Sequence, residues 1–172
     1  HIVMEINTTR VIGRQILRHR SFSFQEFSQR YADPTKAFGL TNLREARLQD
    51  LKNRQNSIEM DETNTDHRHL QYLYEQAQIK IKELAIDSYD YLIKKGMAKE
   101  QARSILPEGL MMSKMYMSGS LRSWIHYCDL RMANGTQKEH MEIAIKCWSI
   151  IKKEFPNVAR GLYQEESKNN GS

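Results

Sequence analysis

RHRSFSFQEFSQR, residues 18–30, gathers four permanent or potential cations, one carboxylate, three hydroxyls and three phenylalanines into thirteen residues. That mixture makes a poor core and a costly surface. Arginine forks match phosphate and carboxylate oxygens, His19 can exchange a proton near neutral pH, and the phenylalanine rings offer flat apolar contact. A phosphorylated aromatic ligand uses all three properties. The competing reading is a solvated helix end followed by a half-buried strand.

On the N-terminal side of this stretch, HIVMEI (1–6) is a short β-like run. Thr8 or Thr9 is placed to cap a helix running to about Arg18, with Val11, Ile12, Ile16 and Leu17 inward. Gln15 and Arg18, three apart, then share a face, and Arg18, His19 and Arg20 fall at the helix end that favours cations. Residues 21–31 read as a loop leading into a short strand. Residues 32–65, with Pro34, Gly39 and mixed charges, read as a long connection with one helical turn near Leu43–Leu51.

Farther on, residues 66–95 carry two apolar stripes at heptad-like spacing, which predicts one long helix buried against the domain or another subunit. Lys94, Lys95 and Gly96 stop it. A short helix around Ala98–Ser104 presents Arg103, and Met111–Met117 reads as a strand. Ser120 is placed to cap a helix to about Arg131, with Leu121, Trp124, Ile125 and Cys128 inward. Arg122 and His126 lie on its polar side. Arg131 lies about half a turn from Arg122, so the two arginines are expected to serve different pockets, as in an oligomer with sites between subunits. Thr136 and Glu139 have capping-box spacing for a helix to about Glu154 with Met141, Ala144, Ile145, Trp148 and Ile151 inward. A last helix over 158–164 and a mobile polar tail over 165–172 complete an α+β chain: a small central antiparallel sheet flanked by helices, one domain over 1–164.

Hydrophobic residues make up 40% of the 172 and charged residues 27%, an ordinary globular balance. The +5 charge permits nucleic-acid binding without requiring it, because acids and bases are interspersed. The local excess lies at the start, where residues 1–31 hold five arginines and no lysine against two acids. Two cysteines, Cys128 and Cys147, form no ligand spacing, so no metal is expected. No run reaches the roughly 20 apolar residues of a membrane span, and a cytoplasmic location is expected.

RHR at 18–20 followed after seven residues by Ser28, together with Gln15 and EFSQRY (26–31), resembles the signature of the flavin-dependent thymidylate synthases, the ThyX family. ARSILP (102–107), SLRSWIH (120–126), LR (130–131) and Gln137 add a second block, and KNRQNS (52–57) with MSGSLR (117–122) resembles some viral members. The resemblance implies a homotetramer using FAD, with NADPH as reductant and methylenetetrahydrofolate as one-carbon donor, to turn deoxyuridine monophosphate (dUMP) into thymidylate. It implies nucleotide contacts from Gln15, Arg18, Glu26, Phe27, Ser28, Gln29, Arg30, Arg103 and Arg131. Flavin contacts would come from Arg18, His19, Arg20 and Glu26, and from Ser120, Arg122 and His126 of another subunit. Arg131 and His19 are the catalytic candidates. Ser120 and His126 replace asparagines of many members. The family also carries a segment ahead of Ile2, so the chain is expected to be truncated relative to it. Hydroxymethyl transfer to a pyrimidine nucleotide, and a basic nucleic-acid or partner-binding module without flavin, are the alternatives.

Overall fold

Along residues 112–119 burial alternates, with Ser113, Met115, Met117 and Gly119 inward and Tyr116 exposed, the period-2 signature of a strand with one covered face. The computed structural model describes residues 1–37 and 43–169, with side chains to Leu162. Its elements are β1 (Ile2–Thr9), α1 (Arg10–Ile16), β2 (Ser23–Glu26), α2 (Pro34–Ala37), β3 (Arg47–Gln49), β4 (Ser57–Glu59), α3 (Thr65–Lys94), α4 (Lys99–Ala102), β5 (Met112–Gly119), α5 (Leu121–Met132), α6 (Lys138–Glu154) and α7 (Pro156–Asn169).

β5 lies at the centre of a three-stranded antiparallel sheet, order β1-β5-β2. Its register aligns Met4, Met117 and Phe24 in one row and Ile6, Met115 and Glu26 in the next. The inward side chains join Ile12 and Ile16 of α1, Trp124, Tyr127 and Cys128 of α5, and Ala144, Cys147, Trp148 and Ile151 of α6 in the main core. A second cluster packs Ala85 and Tyr89 of α3 against Ala102, Leu106 and Met111. The expected α+β architecture is therefore present.

Five local expectations need correction, the first being the last helix, read over 158–164 with a mobile tail from 165: α7 runs over Pro156–Asn169, and residues 170–172 of that tail lie outside the described residues. The strand β1 pairs through Thr8 and Thr9 with Ser113 and Met112, so the threonines belong to the sheet, and Thr9 sits at the helix start without a capping hydrogen bond. The helix α1 then ends at Ile16, and Arg18 lies in the following turn, its N–H donating to Gln15 O at 3.4 Å. Residues 47–49 are a strand instead of a helical turn. Asp50 Oδ1 accepts from the backbone N–H of Lys52 and Asn53 at 2.8 and 3.1 Å, donors a helix would need, and this Asx turn closes the β3–β4 hairpin. Finally, α6 starts at Lys138 with Gln137 as N-cap, because Glu139 is ion-paired with Arg44 and not folded back as a capping box. On α6, Ile145 is 46% exposed, while His140 and Cys147 occupy the inward stripe.

The long helix is as expected. Asn64 caps α3 by accepting from Asp66 and His67 N–H, and Gly96 at φ +87 follows its end, donating to Ile93 O. Its burial is narrower than two stripes suggest: Gln78, Ala85 and Tyr89 alone are buried along it, and Leu84 is 69% exposed.

Gly119 is where the sheet tolerates no side chain. A Cβ there would stand 2.5 Å from Phe22 Cδ1, and that ring packs edge-on against Trp124 at 4.9 Å between centroids. Gly119→Ala is expected to destabilise the protein by about 1–3 kcal/mol through overpacking. Urea unfolding measures it; an unchanged midpoint would mean that the ring yields freely.

Candidate functional site

The turn after α1 places His19 against α5. His19 N–H donates to Ile16 O at 3.0 Å, and its ring meets Tyr127 edge-on at 4.8 Å and 83°. Tyr127 and Arg131 are four apart on α5 and so face the same way. Arg131 Nε donates to His19 Nε2 at 2.9 Å. An imidazole nitrogen that accepts from a guanidinium carries no proton. Burial first, then the positive Arg131 and the nearby His126, accordingly lower the His19 pKa to about 4.

Behind His19 lies His140, fully buried on α6. Its Nε2 is 3.1 Å from the Tyr127 hydroxyl and its Nδ1 is 3.3 Å from Gln15 Oε1. Burial and then the charges of Arg131 and His19 lower its pKa to about 4 as well. Gln15 Nε2 donates to Gln137 Oε1 at 2.7 Å. Burial raises the Tyr127 phenol well above its ordinary range.

A second cluster forms around Glu100. Arg30 donates to its Oε2 through Nε and Nη2 at 3.2 and 3.0 Å, and Arg103 Nε donates to its backbone carbonyl at 3.3 Å. Ser28 Oγ accepts from Arg30 N–H at 3.4 Å, and Phe27 N–H ties the segment to Lys114 O of β5 at 2.9 Å. Gln29 is 5% exposed, and its Nε2 is without a hydrogen-bond partner. Glu26 sits at the end of β2, where the register turns it toward the core. Its Oε1 accepts from Ser113 Oγ at 2.7 Å and Arg10 Nη1 at 3.4 Å.

Arg18, Arg20 and Arg122 are exposed, and among the described residues their guanidinium groups have no hydrogen-bond or ion-pair partner. Ser120 caps α5 by accepting from Ser123 N–H at 3.1 Å, and exposed His126 lies close enough to His19 to perturb it. Arg103 and Arg131 thus reach partners near the opening stretch within one chain, whereas Arg122 points outward as the half-turn offset requires. The two cysteines are buried, with thiols pushed up to about 12, so neither supplies a thiolate near neutral pH. Among the described residues no cluster of His, Cys, Asp and Glu could hold a metal ion, and no helix is long and apolar enough to cross a membrane.

Tyr127, His140, Glu100 and Ser113 were not singled out from the sequence. Tyr127 could have been found as the residue one turn before Arg131. His140 sits inside an apolar stripe and gave no signal.

An arginine-rich turn, a neutral histidine accepting from a guanidinium and two buried thiols thus lie within one chain. The sequence profile of the family described as thymidylate synthase complementing protein, Thy1, matches residues 1–157. A flavin-dependent thymidylate synthase of Synechocystis is 48% identical over 161 residues, 94% of this chain and 70% of that protein. A probable flavin-dependent thymidylate synthase of Paramecium bursaria Chlorella virus 1 is 44% identical over the same shares. Among solved structures, a UMP/dUMP methylase of Streptomyces cacaoi bound with 5-Br UMP superposes at a TM-score of 0.73 with 23% identity, covering 88% of this chain and 67% of that one. The chain belongs to the Thy1 family.

Half-buried His19 and fully buried His140 both have folded-state pKa values below the ordinary 6.5. Between pH 6.5 and about 4 the unfolded chain binds protons that the folded imidazoles refuse. Stability is therefore full above pH 6.5 and falls as pH drops toward 4, with fully buried His140 contributing on the order of 3 kcal/mol. Denaturant melts across this window are expected to slope less in His140→Leu than in wild type; equal slopes would refute the assignment.

Proposed function

We propose that this chain acts as a flavin-dependent thymidylate synthase, converting dUMP to thymidylate with FAD, methylenetetrahydrofolate as one-carbon donor and NADPH as reductant. The observation that carries this reading is the Arg131–His19 pair, supported by the thymidylate synthases to which the chain is 44–48% identical.

Carbon 5 of uracil is a weak nucleophile, and its attack on a one-carbon unit requires negative charge to develop over N3 and the flanking carbonyl oxygens. Arg131 offers that charge a guanidinium whose Nε is fixed by His19, leaving the terminal nitrogens for the ring. Because His19 accepts at Nε2, it orients the arginine without adding a competing positive charge. No protein nucleophile is needed, which agrees with two thiols held neutral by burial.

The residues fit FAD. Arg18, Arg20 and Arg122 are exposed cations with no acid partner, suited to a pyrophosphate, and His19 and His126 offer imidazole edges beside them. Glu26 and Ser120 complete the flavin set. Held there, FAD in its reduced form would supply the hydride needed to bring the transferred carbon to the methyl level. Arg30 and Arg103, with Ser28 and Gln29, suit the nucleotide phosphate, which would displace Glu100 from the Arg30 fork, while Phe27 N–H holds the segment to β5. Gln15 and Arg18 approach the same nucleotide from the end of α1. The exposed Leu73, Ile81, Leu84 and Tyr91 of α3 support a homotetramer with sites between subunits, since an apolar face of this length is poorly suited to water.

Purified protein is expected to take up FAD, show flavin absorbance, and convert dUMP with folate and NADPH to a product carrying the mass of a methyl group. Colourless protein that refuses added FAD would overturn the reading, and a hydroxymethyl mass would redirect it. Arg131→Ala is expected to retain flavin while losing about 10²–10³-fold in turnover. Full turnover would remove Arg131 from the chemistry.

A further inference from the structure

The two ends of the Gln15 amide are addressed separately. Nε2 reaches Gln137 Oε1 at 2.7 Å, and Oε1 lies 3.3 Å from His140 Nδ1, whose ring continues through Nε2 to the Tyr127 hydroxyl at 3.1 Å. Taken alone, such a chain can run in either direction, because amides can flip and a neutral imidazole has two tautomers. Its far end removes that freedom. Glu139, two residues beyond Gln137, is ion-paired with Arg44; against the opposing effect of burial, its own backbone N–H, then Arg44 and last a hydrogen bond from Gln137 hold its pKa low.

An ionised carboxylate only accepts. Gln137 must therefore turn its NH₂ to Glu139 and its oxygen to Gln15. Gln15 then donates through Nε2, and its oxygen faces His140. Nδ1 of His140 carries the ring proton, and Nε2 accepts the Tyr127 O–H. Burial, and then Arg131, disfavours a second proton on the ring, and the Gln15 oxygen facing Nδ1 selects the tautomer.

We propose that Tyr127, His140, Gln137 and Glu139 form a one-way hydrogen-bond relay that locks the Gln15 amide in a single orientation for recognition of a pyrimidine nucleotide. They are positioning residues, acting through Gln15; this rests on the reading of Gln15 as a nucleotide contact. The imide edge of uracil presents an N3–H donor between two carbonyl acceptors, so an amide turned the wrong way sets donor against donor. Fixing the amide before the ligand arrives removes an ordering cost from binding. The relay spans α1, α5 and α6, whose packing determines which way it points.

Calorimetric titration of dUMP into FAD-supplemented protein tests this. Tyr127→Phe, which keeps the ring packing on His19 and Trp124, is expected to weaken dUMP binding about 5–10-fold, and His140→Leu by at least as much. His140→Asn, whose amide nitrogen can stand near the Nδ1 position, is expected to recover most of the affinity. In a Gln15→Ala background, His140→Leu is expected to add less than about twofold, because residues acting through one another are not additive. A merely structural role would lower the melting midpoint and leave this coupling absent. Additive losses, or unchanged affinity in Tyr127→Phe, overturn the relay. Wild-type protein that binds no dUMP overturns the nucleotide reading and the relay with it, an outcome distinct from wild-type binding with indifferent variants.

Discussion

The register of β5 is the constraint on which the rest depends. One strand carries eight paired positions with β1 and four with β2, so its alternation governs both neighbours. With Met115 and Met117 inward, Glu26 is aligned with Met115 and meets Ser113, while Phe24 is aligned with Met117 beside Met4. A slip of one residue would send every side chain to the opposite face. Glu26 would leave Ser113, and Phe22 would lose the space over Gly119 that lets it reach Trp124. The carboxylate near the proposed flavin and nucleotide is thus a consequence of where methionines prefer to lie.

The helix α5 then converts this frame into chemistry. Trp124, Tyr127 and Cys128 are buried, and Trp124 Nε1 donates to Ile2 O at 3.2 Å, fastening the helix to the open end of β1. One turn beyond Tyr127 the same face emerges from the core, and there Arg131 meets His19. The arginine is only half-buried, so its charge is retained without full desolvation, while its Nε is held against a neutral acceptor.

Elements with a long period were legible. The helix read over residues 66–95 is Thr65–Lys94, and Ser120 caps α5 as its position before Leu121 implied. The β3–β4 hairpin was not legible, because three-residue strands hold too few positions to show a period of two. The Thr136–Glu139 box failed for a tertiary reason: Arg44, 95 residues away, takes the carboxylate. Residue types at 18–20 were readable as oxyanion chemistry, Arg103 and Arg131 became candidates only through the family resemblance, and the partners of none were legible. His19 and Arg131 are 112 residues apart, and only the packed fold determines that they touch. The stripes on α3 showed amphipathicity without saying what covers it.

The sulfur atoms of the interior bear on durability. Met111, Met115, Met117 and Cys128 are fully buried, and Cys147 is nearly so. A protein that carries reduced flavin in air, as proposed here, generates hydrogen peroxide beside its own side chains. Sulfoxide and sulfenic acid formation need contact with solvent-borne oxidant, and a thiol held near a pKa of 12 reacts slowly even when reached. Packing soft, adaptable sulfur residues behind the sheet therefore shields this core from a hazard that its own chemistry would create.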